Sequence, residues 1–132
     1  MRFAFGSAAI CLLVLALPLS AHHSHGLYDD AFKDIQGVVT EVHLLVPHSF
    51  VYIEVKAAAN AEAQRWSLEG TSRTGLERAG VTKDYLKVGD AVKVRCHPLR
   101  DGTNGCLLGF LKVKDGEVKD WDGGNLAAPA DF

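Results

Sequence analysis

The sequence predicts an all-β domain of small α content, in which five strands close into a barrel and one short helix lies between strands 3 and 4. Three observations carry this. Apolar and polar residues alternate over short runs rich in β-branched types, as half-buried strands require. Gly, Pro and Asp-Gly signals punctuate those runs at hairpin spacing. The pattern changes to a helical period in one place only, residues 71–86.

The first strand is read over 35–46, where Val38, Thr40, Val42 and Leu44 alternate with Val39, Glu41, His43 and Leu45; apolar residues fall on both faces, so the strand must bend. Pro47 ends it. Strand two places Val51, Ile53 and Val55 on one face against Phe50, Tyr52, Glu54 and Lys56, and makes a hairpin with the first. Strand three, 65–69, sets Trp66 and Leu68 against Arg65, Ser67 and Glu69, and Gly70 closes it. In the helical stretch Ser72 can cap a short helix whose Leu76 and Ala79 share a face, Gly80 can end it, and Thr82 can cap a further turn carrying Tyr85 and Leu86. Val88-Gly89-Asp90 turns into strand four, with Val92, Val94 and Cys96 inward and Lys93, Arg95 and His97 outward. Strand five runs from about 106 to 114, and Asp115-Gly116 turns the chain again.

Five strands with a helix between the third and fourth is the order of an oligonucleotide/oligosaccharide-binding (OB) barrel, which closes its sheet and removes exposed edges. A small open β-sandwich or a barrel of different connectivity fits the same strand pattern. The reading assigns 1–21 to a secretory signal peptide, 22–118 to the barrel domain and 119–132 to a flexible C-terminal tail without periodicity.

Several short motifs follow one another along the chain: Ala21-His22-His23-Ser24, Val46-Pro47-His48, Trp66 to Glu69, then Gly80, Thr82, Asp84, Leu86, Gly89 and Asp90, and the loop Arg100 to Asn104. In this order they resemble the Ala-His-His-Ser opening, the Asn-Pro-His motif, the Trp-x-x-Glu strand, the Gly-x-Thr-x-Asp-x-Leu-x-x-Gly-Asp stretch and the Lys-Asp-Gly-Ser-Asn loop of the DUF6152 family, small secreted bacterial proteins of unknown function. The resemblance runs from His22 to about Val118 and implies export and a β-barrel. This chain departs from the family where His25 replaces an aromatic and where Val81 replaces a Trp, near His43 and Leu44 where a Trp is usual, and in having the pair Cys96 and Cys106.

The chain begins with one charge, Arg2, followed by an uncharged run over 3–19 and the small residues Ser20 and Ala21, the order of parts in a signal peptide. The dense apolar stretch, about 12 residues, is shorter than the roughly 20 a spanning helix needs. The expected location is therefore periplasmic or secreted, free of the membrane once the signal is cleaved. Cleavage after Ala21 leaves 111 of the 132 residues, one domain in size, and moves the formal charge from −2 to −3 by removing Arg2. A mildly acidic domain has no electrostatic footprint for nucleic acid or an anionic membrane. Cys96 and Cys106 flank a turn-rich segment and read as a disulfide in an oxidising compartment, with a reduced metal-binding pair as the alternative.

All six histidines survive processing, and His22, His23 and His25 fall at the new terminus. If His22 is first, its amine and ring chelate one ion together, and a further imidazole from the barrel completes a T-shaped nitrogen site that suits copper(II). If Ala21 is first, His23 stands third, and amine, two backbone amides and an imidazole form a square plane that also suits copper. His48, fixed behind Pro47, is the best barrel partner; His43 and His97 lie on outward faces and are weaker candidates. The plainer reading is a polar tail that binds copper adventitiously and a His48 that bonds backbone at a corner. Glu69 is read first as a solvated strand carboxylate. Phe50, Tyr52 and Phe110 are read as packing residues or a ligand patch, and a metal-independent envelope module would present a patch around Tyr52 and Trp66 to a peptide, glycan or partner protein. No Gly-x-Ser-x-Gly elbow, His-Glu-x-x-His helix, phosphate-cradling loop or reactive-cysteine context is present, so no enzyme activity is expected.

Overall fold

The computed structural model describes residues 25–132. A 3-10 turn, His25–Leu27, opens the described chain, followed by β1 (Lys33–His43), β2 (Ser49–Val55), β3 (Gln64–Gly70), α1 (Arg73–Arg78), β4 (Ala91–Pro98), β5 (Gly105–Val113) and β6 (Val118–Asp120). The strands lie in the order β3-β2-β1-β4-β5-β6, and a parallel pairing of β3 with β5 closes the first five into a barrel. The OB-like barrel with its helix between β3 and β4 is therefore the fold.

Closure depends on local chemistry that the alternating pattern only partly reveals. In β1 the register slips between Val39 and Glu41, a bulge that reverses which face points inward. Ile35 and Val39 are buried before it, whereas Val42 and Leu44 pack on the core after it. The two apolar faces of the first strand are thus one inward face interrupted by a bulge, and β1 ends at His43 rather than at residue 46. β2 and β3 need no such device: Val51, Ile53, Trp66 and Leu68 point into the barrel in simple alternation.

Ser72 caps α1 by accepting from the Gly75 N–H, which satisfies a donor that the first turn leaves orphaned. Leu76 and Ala79 are its buried face, and Gly80 leaves the helix at φ +80. Two turns later the Tyr85 hydroxyl lies 2.7 Å from the Glu117 carbonyl and 3.0 Å from that of Leu111, tying the helical segment to the far hairpin.

The expected tail 119–132 needs correction. Its first residues complete β6, which pairs with Phe110, Leu111 and Lys112 of β5. Trp121 is fully buried; its N–H donates to the Gly109 carbonyl and its carbonyl accepts from Thr71, so it bridges β5 and the end of β3. Gly70 makes room for it, since a Cβ there would meet Trp121 Cε3 at 3.1 Å. Beyond it Asp131 accepts from Arg95 at 2.9 Å, and the Phe132 ring packs near Phe110. The sequence hid this segment because a three-residue strand shows no period.

Cys96 and Cys106, both buried, are joined as a disulfide with their Cα atoms 5.7 Å apart. The bond ties β4 to β5 at the root of the loop 99–104.

Candidate functional site

A chain of three polar side chains lies on the outer surface of the barrel where β2 and β3 meet the N-terminal arm. Glu69 projects outward from β3, opposite Phe50 of β2. One of its oxygens, Oε1, lies 2.8 Å from Nδ1 of His48; the other, Oε2, accepts a hydrogen bond from the Tyr28 hydroxyl.

The loop that carries His48 is built to hold it. The buried Ser49 hydroxyl donates to the Leu45 carbonyl and accepts from the Leu45 N–H, closing 45–49 on itself. The Leu45 carbonyl also accepts from Arg73 at 2.7 Å, and Ser49 N–H donates to Thr71, so the loop is fastened to the segment that starts α1.

Tyr28 is placed from the other side. Asp29 N–H donates to the Pro98 carbonyl at 2.8 Å, Arg100 N–H to Leu27, and Arg100 Nε to the Tyr28 carbonyl at 2.6 Å. The arm is thereby stitched to loop 99–104, with Tyr28 bridged to Leu99. Burial, followed by the hydrogen bond to Glu69 and its charge, raises the phenol well above its ordinary range, so at neutral pH it is a donor.

The arrangement has a definite chemical consequence. A carboxylate accepts only, so the imidazole nitrogen facing it carries the proton, and Nε2 is left as the lone-pair atom of the neutral ring. The His48 side chain is 43% exposed whereas that of Glu69 is 15% exposed. Carboxylate, histidine and an outward nitrogen in this order form the usual outer support of a metal-bound imidazole. Among the described residues no group of three His, Cys, Asp or Glu stands together, so further donors would have to come from elsewhere in the chain.

Of the residues singled out from the sequence, His22 and His23 lie outside the described residues, and His25 begins the 3-10 turn that leads into Tyr28. Glu69 is corrected: it is a largely covered carboxylate holding two partners, not a solvated one. His43 sits on Glu41, 3.0 Å away, beside Arg65. His97 packs its ring on Phe32 with centroids 4.1 Å apart, so its outward position is covered. The patch expected around Tyr52 and Trp66 is not one surface, because Tyr52 pairs with Ser67 on the outer face while Trp66 pairs with Ile53 on the inner one and is 8% exposed. Phe110 is likewise apart, on β5 under Phe132. Tyr28 was missed, since a single aromatic in a loop has no periodicity to mark it; its place directly after the histidine cluster was the only clue.

Fold and site together define a small OB-type β-barrel, a shape that fits a binding module. The chain belongs to the family of unknown function DUF6152, whose model matches residues 9–108. No curated protein matches the chain. Among solved structures it is similar to the mitochondrial single-stranded DNA binding protein Rim1 of S. cerevisiae, at 10% identity and TM-score 0.51, over 64% of this chain and 94% of that one. A selenomethionine-labelled crystal of Rim1 gives the same identity and coverage with a TM-score of 0.49. At that identity the likeness shows the fold alone.

Proposed function

We propose that this protein is an exported, periplasmic or secreted, non-enzymatic metal-binding module, and that its ion is copper(II), held by the processed N-terminus together with His48. One observation carries the reading: Glu69 fixes His48 with Nε2 outward and, through Tyr28, fixes the start of the arm beside it.

Six Cα–Cα steps separate Tyr28 from His22, and with residues 25–27 in a 3-10 turn they span at most about 16 Å. His22, His23 and His25 therefore lie within chain reach of an imidazole that shares the Glu69 carboxylate with Tyr28. An amine, the His22 ring and His48 Nε2 make an all-nitrogen set, for which copper(II) outcompetes zinc, manganese and iron at equal availability. The square-planar alternative that begins at Ala21 makes no use of His48, so the supported imidazole favours cleavage after Ala21. The bonded pair Cys96 and Cys106 suits an oxidising compartment.

The metal-independent reading has less behind it. Arg65 lies over the Tyr52 ring at 4.3 Å and Lys33 lies near the Trp66 ring at 5.0 Å, so both rings already have a cationic partner. The mildly acidic balance also gives no reason to transfer the DNA-binding role of Rim1 to this chain.

The test is a copper(II) titration of protein beginning at His22 against protein carrying one additional N-terminal residue. Weaker binding and a changed visible spectrum in the extended form are expected. Equal affinity and identical spectra would overturn the proposal.

A further inference from the structure

The outer face of the barrel carries a charged trough that shares no residue with the Tyr28, Glu69 and His48 site. Two shallow concavities, of about 420 Å³ and about 330 Å³, meet along Gln36, Ala91 and Val92 and so run as one depression across β2, β1, β4 and β5.

Strand register sets its charges in a row. Gln36 of β1 stands opposite Lys93 of β4, and Lys93 opposite Lys112 of β5. Val38 stands opposite Glu54, so Lys56, two residues further on, continues the row beyond Gln36 and lines the trough beside it. Lys56, Gln36, Lys93 and Lys112 thus cross four strands, a span of about 14 Å at the usual strand spacing. Lys114, whose N–H donates to the Ala91 carbonyl at 2.9 Å, adds a fourth cation to the wall.

Folding does not call for this row. Like charges directly opposite on neighbouring strands weaken a sheet, and Lys93 and Lys112 are such a pair. Asp34 lies 3.8 Å from Lys93 but is already forked by Arg95. Lys56, Lys112 and Lys114 make no ion pair among the described residues. The acidic residues of the trough are Glu54 and Asp115, two carboxylates against four lysines, in a chain of formal net charge −2. Cations gathered on one face of an acidic chain draw an anion to that face.

We propose that the trough binds an acidic polysaccharide, a chain of uronic acids laid across the strands. The strand spacing, about 4.8 Å, is close to the length of one sugar ring, so successive carboxylates meet successive positions of the row. Lysines are point charges on flexible stems and follow separate carboxylates; the planar arginine fork that grips phosphate is not among the described residues of the walls. The Gln36 amide both donates and accepts, as sugar hydroxyls require. No aromatic ring is among those residues either, which removes the stacking platform of a single-stranded nucleic-acid site. An acidic peptide would add along a strand edge, whereas this trough crosses a sheet face whose strands are already paired.

The experiment titrates the disulfide-bonded protein, free of metal, with hexagalacturonate and with its fully methyl-esterified form, following amide shifts by NMR. Saturable shifts at Gln36, Lys93 and Lys112 are expected with the acid and none with the ester, and affinity should fall as salt is added. Lys112→Gln combined with Lys114→Gln should weaken binding about tenfold, as two exposed ion pairs allow, with the amide spectrum away from β5 showing the fold intact. Lys87→Gln, at an exposed lysine outside the trough, should leave binding unchanged. Absence of saturable shifts at those three residues, equal binding of acid and ester, or a double variant that binds as tightly as the wild type would overturn the proposal. Thymidylate octamer or hexaglutamate binding as tightly at the same residues would replace it with a nucleic acid or an acidic peptide. Because no copper is present, the outcome is independent of the metal site proposed above.

Discussion

Nδ1 of His48 and Oε1 of Glu69 stand 2.8 Å apart, joining a loop residue to the end of a barrel strand. This contact decides which nitrogen of the imidazole faces solvent, and the Tyr28 hydroxyl on the second oxygen keeps the carboxylate from turning away. Glu69→Gln removes the charge and breaks this arrangement while keeping the shape. Copper(II) affinity of the processed protein should fall about 10- to 100-fold, the usual effect of losing an outer carboxylate, as read by competition with a chelator of known affinity. Unchanged affinity would separate Glu69 from the metal.

Alkaline pH should test the tyrosines. Burial is the first cause that raises both Tyr28 and Tyr85 above the ordinary 10.0, helped by Glu69 for the former and Glu117 for the latter. A raised acid contributes stability that is complete below its unfolded value and is lost as pH climbs toward the folded one. Stability should therefore show no tyrosine-linked loss below about pH 10 and decline above it, followed by circular dichroism beside phenolate absorbance. Tyr28→Phe should reduce that slope.

Trp121 should prove indispensable. It is fully buried and bridges Gly109 to Thr71 by backbone hydrogen bonds. Trp121→Ala should cost about 3–5 kcal/mol in denaturant unfolding, as large aromatic deletions do. A dispensable tail would show no loss.

Arg95 forks on Asp34 of β1, at 2.7 and 3.0 Å, and holds the C-terminal segment by a third bond, to Asp131 at 2.9 Å. Those bonds keep both carboxyls below the usual 3.8, so the tie is present above that value and is lost as pH falls through the lower folded ones. The Phe132 amide, which donates to the Pro129 carbonyl, should lose hydrogen-exchange protection in Arg95→Ala and, in the wild type, on acidification below about pH 3.8. Arg95→Lys should rescue poorly, because an ammonium cannot replace the planar fork.

Most of the barrel was legible in the sequence, and the reasons are physical. β2, β3 and β4 bury one face each, so alternation located them to within a residue or two, and Ser72 marked the helix start through its capping chemistry. β1 was blurred because a bulge at its middle exchanges its faces, and a period of two cannot register an extra residue. β6 and the packed C-terminal segment were lost because their order comes chiefly from Trp121 and Arg95, each held by contacts distant in sequence. The site was half legible. His48 stood out behind Pro47, but Glu69 resembled any strand carboxylate until Phe50 and the arm were placed beside it, and Tyr28 acquired its role only by reaching across to β3.

The most direct measurement is hyperfine spectroscopy of the copper(II)-loaded protein beginning at His22, with ¹⁵N-labelled histidines, compared with the same protein carrying His48→Ala. Coupling to the His22 amine and to two imidazoles is predicted, with one imidazole coupling lost in the variant. Identical spectra for the two proteins would contradict a site shared between the processed terminus and the barrel.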